Sequence, residues 1–331
     1  MPSPLGNMLE KLRLKKPALR LYFYTTNIWK SKVANFRHKW IPILIKKRSR
    51  KDVFAINLNS DWLGLGARIV KTLEILKYCD EMNFVPLIQY NYRESNKGHD
   101  YFGELFYYKF PIDEKLKKAR FTSIRDVDEL GWRESYNLKL NLITARSLFD
   151  RYLGINVDIM TEVENFISDN FRGRKILGLH YRGTDKIGEA PLIDEDDLID
   201  YVKSVLADDS RLEAIFVSTD DAKIISFLQG AGLPLPVIFR KDVYRSYDGE
   251  QIHRKTENSK STIHRDAIVN MLLLSRCIYL LKTASILSDC SVIFNPTMDV
   301  KLMSKPHSET LTWWPCREII ENQKMDERLY S

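Results

Sequence analysis

The densest group of chemically active side chains in the sequence lies between residues 179 and 186. This segment, LHYRGTDK, places an imidazole, a guanidinium, a carboxylate and an ammonium group within seven positions. A guanidinium is a planar fork that suits phosphate oxygens, and an ammonium group adds a compact positive charge. Arg182 and Lys186 could therefore stabilise a departing diphosphate without a metal ion. The alternative is a surface cluster of ion pairs.

Two further polar segments follow later apolar runs. In Ser218-Thr-Asp-Asp221 the adjacent carboxylates could orient a substrate, bind the cationic segment or cap a helix. Capping of a helix that starts at Ala222 explains only one of the two acids. In Lys282-Thr-Ala-Ser285 the hydroxyls precede a predicted helix, whose N-terminus is either an anion site or an ordinary cap.

Alternating strands and helices position these segments. In the first half, strand 54–58, a loop with Gly64 and Gly66, a helix from Ala67 and strand 85–90 predict a Rossmann-like βαβ unit. Residues 101–170 favour helix, with a helical connection over 148–171. In the second half the pattern predicts strands 175–180, 214–218, 237–239 and 279–281, with helices 194–206, 222–228 and 262–277. We therefore expect an α/β protein with two Rossmann-like domains facing a cleft, lined by polar loops at strand carboxyl ends.

Charge and composition restrict the class of protein. Residues 1–50 hold thirteen Lys or Arg and one acid, a net charge of +12, whereas the whole chain carries +7, so the remainder carries −5. A basic nucleic-acid-binding body is therefore not supported. Because Trp29 and Trp40 interleave with these charges, the arm suits an anionic membrane surface, or alternatively packs on the body. We expect no membrane span and no secretory signal, and four dispersed cysteines indicate free thiols in a reducing, cytoplasmic compartment.

The three polar segments, in this order, resemble motifs of the fucosyltransferase superfamily with the GT-B fold. The resemblance is to the α-1,6 enzymes, which include the nodulation fucosyltransferases, and to the related α-1,2 and protein O-fucosyltransferases. The His-x-Arg-x-x-Asp-Lys motif of the α-1,6 group is matched by His180, Arg182, Asp185 and Lys186. Its second motif is matched by Thr219, Asp220 and Asp221, and its third by Leu274, Ser275, Thr283 and Ser285. The Gly64-Leu-Gly66 loop also looks like the start of the family's first domain.

This resemblance implies an inverting, metal-independent glycosyltransferase that moves L-fucose from GDP-fucose to a hydroxyl of a glycan acceptor, without a cofactor. The charge pattern predicts a basic arm over 1–52, and the resemblance implies an acceptor domain over 53–165 and a nucleotide-sugar domain over 166–331. A lipid-linked acceptor would suit a peripheral position at the inner face of a membrane. Two alternatives remain: a non-catalytic homologue that binds a nucleotide or glycan, and a transferase that uses another GDP-sugar.

The resemblance also implies roles for individual residues. The expected catalytic residues are Arg182, Asp185, Lys186 and Glu189, with Glu189 as the candidate base and Asp220 or Asp221 as alternatives. The expected donor-binding residues are His180, Arg182, Asp220, Asp221, Asp266, Asn270, Thr283, Ser285, Gly64 and Gly66. Asn270 stands where the α-1,6 enzymes have an acid that pairs with guanine, and Asp266, one turn earlier, could substitute. Gly183 stands where relatives often have a second arginine.

Other polar groups are expected to have lesser roles. Asp126-Val-Asp128 has the form of a metal-binding DxD motif but lacks a strong preceding strand, so we expect no metal site there. His253 and His264 are expected to be solvated or to cap helices. Residues 243–262 predict a long mobile loop near the donor site, with Arg245, Arg254 and Lys255 able to close on phosphates.

Overall fold

The computed structural model describes residues 53–59, 63–92, 99–113, 116, 118–123, 140–183, 191–247 and 259–304. Its first half begins with strand β1 (Val53–Leu58), helix α1 (Leu65–Met82) and strand β2 (Val85–Tyr90). β1 pairs in parallel with β2 on one side and with the short strand β4 (Thr122–Ser123) on the other. Both longer strands are largely buried runs of apolar residues, as expected of strands covered on both faces. The predicted βαβ unit is confirmed.

The region between the two sheets contains more strand than predicted. Helix α2 (Phe102–Leu105) leads into β3 (Phe106–Tyr108), which pairs antiparallel with β5 (Leu153–Ile155). β5 separates helix α3 (Leu142–Tyr152) from helix α4 (Val157–Phe166), which continues into a π-helical turn over Ile167–Phe171. Helices account for most of the described residues in 101–170, as predicted, but β5 interrupts the helical connection predicted over 148–171. Strands of two or three residues are too short to show an alternating pattern.

The second half contains a five-stranded parallel sheet in the order β10-β9-β6-β7-β8. The strands are β6 (Ile176–Tyr181), β7 (Ala214–Thr219), β8 (Val237–Ile238), β9 (Tyr279–Lys282) and β10 (Asp299–Leu302). The helices are α5 (Glu195–Asp208), α6 (Ala222–Gly230), α7 (Lys260–Ser275) and α8 (Ile286–Phe294). β6 and β7 are buried throughout, as befits central parallel strands. The predicted alternation of strand and helix is confirmed.

One apolar cluster joins the two halves. It combines residues of α1 and α3 with residues of α7 and α8. The first turn of α1 lies directly against the first turn of α8, since a Cβ added at Gly66 would stand 2.7 Å from the backbone nitrogen of Leu287. These helices follow β1 and β9, so their N-termini lie beyond the carboxyl ends of the two sheets. The carboxyl edges of both sheets therefore point towards the same region.

The segment predicted as a loop over 243–262 differs from expectation at both ends. Ser246 is fully buried and forms a parallel bridge with Asp221. α7 already begins at Lys260, with the hydroxyl of Ser259 accepting the backbone N–H of Thr262. A capping serine thus starts a helix within a polar run that lacks apolar periodicity. Residues 248–258, with His253, Arg254 and Lys255, lie outside the described residues, as do the arm over 1–52 and the Asp126-Val-Asp128 motif.

None of the helices that the structure describes is long and apolar enough to cross a bilayer. Three of the four cysteines, Cys79, Cys277 and Cys290, are buried free thiols, as predicted. Cys316 lies outside the described part of the chain.

Candidate functional site

The exit of β6 is fixed from both sides by the neighbouring strands. The backbone N–H of Arg182 donates to the hydroxyl of Thr283, which follows β9, at 2.9 Å. The next backbone N–H, that of Gly183, donates to the carboxylate of Asp220, which follows β7, at 3.0 Å. All three predicted polar segments thus meet at one edge of the sheet, as the parallel strands require. The structure brings together Arg182, Asp220 and Thr283.

The guanidinium of Arg182 is held near Asp220 without being enclosed. Its Nε lies 3.8 Å from Oδ2 of Asp220, and the side chain is 24% exposed. This separation is longer than a charge-assisted hydrogen bond, which is usually below 3 Å. Asp220 can therefore help to orient the guanidinium, which stays partly open to solvent. A phosphate ligand could engage such a group with two parallel hydrogen bonds.

The two adjacent acids after β7 have different roles. One carboxylate oxygen of Asp221 accepts the backbone N–H of Lys223 at 2.9 Å and so caps α6. The carboxylate of Asp220 instead faces the exit of β6. Ser246 holds this turn in place, because its N–H donates to the carbonyl of Asp220 and its carbonyl accepts the N–H of Ala222. The expectation that capping explains only one of the acids is confirmed.

A buried ion pair supports the third segment. The ammonium group of Lys282 contacts the carboxylate of Asp289 in α8 and donates to the carbonyl of Ser285 at 3.2 Å. Both charged side chains are nearly inaccessible. The backbone N–H of Thr283 donates to the carbonyl of His180, which continues the pairing of β9 with β6. Ser285 occupies the N-cap position of α8, but its side chain makes no capping hydrogen bond.

His180 is a neutral, buried imidazole beside these cations. It pairs in register with Lys282 and therefore projects to the same face of the sheet, the α8 side. Burial lowers the pKa of His180 to about 3, helped by the positive charges of Lys282 and Arg182. Its Nδ1 atom is buried and has no hydrogen-bond partner among the described residues. The imidazole can accept or donate one hydrogen bond without carrying charge at neutral pH.

Asp266 and Asn270 lie on α7, one turn apart. The carboxylate of Asp266 accepts from the buried guanidinium of Arg240 at 3.1 Å, and the same guanidinium binds Glu162 at 2.6 Å. Burial raises the pKa of Asp266, opposed by the charge of Arg240. Asn270 is buried, with its side chain engaged in no hydrogen bond within the described part of the chain. The side-chain amide of Asn270 therefore has fewer contacts with the described protein groups than the carboxylate of Asp266.

The glycine loop of the first half forms the start of α1. Gly64 is the N-cap, and a side chain there would meet nothing within 4 Å. Gly66 has a packing role, because it lets α1 approach the backbone of α8. Arg68, one turn later, is fully buried and donates to the carbonyls of Leu58, Leu63 and Asn91. The donor-binding roles of the two glycines stay predictions.

The expectation for His264 is wrong. Its ring is buried, and Nε2 lies 2.6 Å from the hydroxyl of Tyr92 in the first half. Burial, with the nearby charges of Arg68 and Lys260, lowers the pKa of His264 to about 3. The polar residues next to His264 in the sequence suggested that its side chain is solvated, but its hydrogen-bond partner, Tyr92, is 172 positions away in the sequence. A long-range contact of this kind leaves no local signal.

Asp185, Lys186 and Glu189 lie outside the described residues, so their roles stay predictions. Arg245 is described, and its guanidinium donates to the carbonyls of Arg240 and Val243. Contact of Arg245 with a phosphate would require those bonds to break. Within the described ranges, no group of three or more His, Cys, Asp or Glu side chains is arranged to hold a metal ion.

Four supporting residues were missed by the sequence analysis as site components: Arg68, Arg240, Lys282 and Asp289. Lys282 was named only as the first letter of a polar segment, and its partner follows seven positions later in a helix. A lysine at the end of an apolar strand is the one local signal, since such a buried charge needs a partner. The two arginines contact loops distant in sequence, which no spacing rule reveals.

Comparison with solved structures identifies the fold. The NodZ α-1,6-fucosyltransferase, in crystals soaked with GDP-fucose, superposes with a TM-score of 0.50 at 15% identity, over 74% of this chain and 94% of that chain. The chain shares the fold of that fucosyltransferase. The expected GT-B-like α/β fold is thereby confirmed. No protein-family model matches the chain, and no curated protein is similar in sequence.

Two further solved structures are similar at lower scores. A variant of Arabidopsis thaliana FUT1 in complex with GDP gives a TM-score of 0.46 at 12% identity, over 83% of this chain and 77% of that chain. POFUT1 in complex with GDP gives 0.44 at 9% identity, over 75% of this chain and 98% of that chain.

Proposed function

We propose that the protein is a glycosyltransferase that moves fucose from GDP-fucose to a hydroxyl of a glycan acceptor, with inversion at the anomeric carbon and without a metal ion. The observation that carries this proposal is the placement of Arg182. Its backbone is fixed on both sides, and its partly exposed guanidinium stands at the carboxyl edge of a fold shared with a fucosyltransferase. Ligands of open α/β sheets usually bind at this edge.

In the proposed reaction the acceptor oxygen attacks the anomeric carbon while the bond to the diphosphate breaks. Arg182 takes up the negative charge that develops on the departing diphosphate, and Asp220 keeps the guanidinium oriented. The neutral imidazole of His180 supplies a hydrogen bond near the nucleotide. Lys186 would add a second positive charge, and Glu189, or else Asp220 or Asp221, would accept the acceptor proton. In this proposal residues 53–165 bind the acceptor and residues 166–331 bind the donor.

The second candidate function is transfer from a nucleotide-sugar with a different base, and the residues proposed to bind the base are the reason. Arg240 already engages the carboxylate of Asp266, which leaves Asn270 to read the base. A carboxylate accepts both N1–H and N2–H of guanine, whereas an amide offers one acceptor and one donor. An amide therefore suits an N–H beside a carbonyl, an edge that guanine and uracil share. We expect Asn270→Asp to increase the preference for GDP over UDP in a calorimetric titration, and an unchanged ratio would exclude Asn270 from the base site.

The turnover assay separates the enzyme from a binding homologue. Wild-type protein should release GDP from GDP-fucose faster than from GDP-mannose, with added glycan acceptors raising the rate. Arg182→Ala should lower kcat/KM by about 100-fold or more, as loss of a charge-stabilising donor does elsewhere. Arg211→Ala, which removes an exposed arginine that pairs with Asp209 two positions earlier, is the matched control. GDP binding without release under any acceptor would favour the binding homologue.

Two further features of the proposal have separate tests. Turnover should persist in EDTA, and rescue of a chelated enzyme by Mn²⁺ or Mg²⁺ would contradict metal independence. NMR of the first-formed product should give the inverted anomer.

The basic arm is proposed to hold the enzyme at the inner face of an anionic membrane, near a lipid-linked acceptor. Each basic residue near such a surface contributes about 1 kcal/mol. Full-length protein should float with anionic vesicles at low salt and detach at high salt, whereas a chain starting at Lys51 should not float. Equal behaviour of the two chains would exclude this role.

A further inference from the structure

Tyr181, the last residue of β6, is hydrogen-bonded to a residue just before the next described helix, α5. Its hydroxyl donates to the carbonyl of Ile193 at 2.7 Å, twelve positions later, and its ring is 6% exposed. Ile193 is also buried, in the apolar cluster that contains Tyr181, and Asp194 then caps α5. One side chain thus joins the end of β6 to the start of the next helix.

The same ring determines what can stand at position 183. A Cβ added at Gly183 would lie 2.7 Å from Cε1 of Tyr181 and 3.3 Å from the carboxylate of Asp221. Moving the ring aside would cost free energy, because it would break the hydrogen bond of the hydroxyl to Ile193 and expose a buried side chain. Glycine is therefore needed for the backbone to pass over the ring and place its N–H on Asp220.

The backbone of Arg182 and Gly183 thus has three supports. Thr283 holds it from the β9 side, Asp220 holds it from the β7 side, and the Tyr181 ring lies against Gly183. The first two supports act on the backbone at the exit of β6 itself. The bond from Tyr181 to Ile193 adds a link from this exit to the residue that precedes the N-cap of α5.

We propose that Tyr181 is a positioning residue: by packing against Gly183 and binding the carbonyl of Ile193, it sets the orientation in which Arg182 meets the phosphate groups of the donor. This inference rests on the proposed function. Burial and the nearby carboxylates of Asp221 and Asp220 raise the pKa of Tyr181 to about 12, so the hydroxyl donates at every working pH.

The experiment is a double-mutant cycle between Tyr181→Phe and Arg182→Ala, measured by GDP-fucose turnover. Tyr181→Phe keeps the ring and removes only the bond to Ile193. We expect it to lower kcat/KM by about 10-fold in the wild-type background and by less than about 3-fold when Arg182 is already absent, since coupled residues are not additive. Equal losses in both backgrounds, or no loss in the first, would overturn the proposal.

A matched control separates positioning from general stability. The hydroxyl of Tyr108 in the first half donates to the carbonyl of Ile88 at 3.1 Å and accepts the backbone N–H of Ile88 at 2.6 Å. Tyr108→Phe should therefore lower the melting temperature at least as much as Tyr181→Phe while leaving kcat and KM within about 2-fold of wild type. An equal loss of turnover in both variants would show that Tyr181 acts through stability alone.

A second pair of variants tests the ring. Gly183→Ala should lower turnover strongly in the wild-type background and much less in a Tyr181→Leu background, where the obstructing ring edge is absent. Equal losses from Gly183→Ala in the two backgrounds would contradict the role of the ring. If wild-type protein neither binds GDP nor cleaves GDP-fucose, the proposed function fails. If wild type is active and Tyr181→Phe matches it, only this inference fails.

Discussion

The first strand of each half is followed by an arginine, and the two arginines have opposite environments. Arg68 stands at the start of the helix that follows β1, and Arg182 directly follows β6. The guanidinium of Arg68 is fully buried, binds three backbone carbonyls and lies 4.5 Å from the centre of the Tyr92 ring. The guanidinium of Arg182 is partly exposed and stands 3.8 Å from a carboxylate. The first binds the loops of its own sheet, and the second can meet a ligand.

Residue type alone therefore does not decide the role of a charged group that follows a strand. Its surroundings in the fold do, since Arg68 is fully buried against backbone carbonyls and Arg182 is partly exposed beside a carboxylate. His264 and His180 are also alike in type and burial, and burial lowers the pKa of each to about 3. They differ in what surrounds them. His264 is bound to Tyr92, whereas His180 stands beside Arg182 and Lys282 at the proposed donor site.

Removing Arg68 should have the largest effect on stability. Arg68→Met would leave the carbonyls of Leu58, Leu63 and Asn91 without this donor in a buried region, which we expect to cost about 4 kcal/mol of unfolding free energy. Urea unfolding monitored by circular dichroism measures the change. Arg211→Met is the exposed control and should stay within about 0.5 kcal/mol of wild type. A loss below 1 kcal/mol for Arg68→Met would contradict the structural role.

Breaking the buried ion pair of the second half should have the next largest effect. Asp289→Asn leaves the ammonium group of Lys282 buried without its carboxylate, and such a change costs about 3 kcal/mol. The double variant Lys282→Met with Asp289→Leu should recover much of this loss, since apolar pairs often replace buried ion pairs at little cost. Thermal unfolding measures both. A double variant less stable than Asp289→Asn would show that the charges are needed for more than their mutual contact.

The two histidines should make stability fall on acidification. Their pKa is about 3 in the folded protein and about 6.5 in the unfolded chain, so only the unfolded chain takes up these protons as pH falls below 6.5. The contribution is constant above that pH and should decrease by about 1.4 kcal/mol per pH unit for each histidine below it.

Unfolding measured between pH 6.5 and pH 5 tests this dependence. His264→Gln should remove about half of the slope and leave turnover near wild type, whereas His180→Gln should remove a similar part and lower turnover. An unchanged slope in both variants would contradict the burial of the imidazoles.

The elements that could be predicted are those whose burial requires a run of several apolar residues in the sequence. β1, β2, β6, β7 and β9 are apolar runs because helices or neighbouring elements cover them, and their order placed the polar segments at one edge. The meeting of Arg182, Asp220 and Thr283 followed from parallel pairing alone. β3 and β5 escaped prediction because three residues cannot show a period.

The supporting contacts escaped prediction for a different reason. Arg68 and His264 depend on loops and rings that become neighbours only in the folded chain. Tyr181 stood inside the most visible motif, yet its function depends on the carbonyl of Ile193, and a backbone carbonyl has no sequence signal.

The most direct test of the central claim is calorimetric titration of GDP into wild-type protein and into Arg182→Ala, with urea unfolding of both. We expect wild type to bind GDP, and Arg182→Ala to bind at least about 10-fold more weakly because it lacks a charge-assisted contact to the diphosphate. The unfolding free energy should stay within about 1 kcal/mol, since this side chain is partly exposed. Equal GDP affinity of the two proteins, both folded, would contradict the assignment of Arg182 to the donor phosphates.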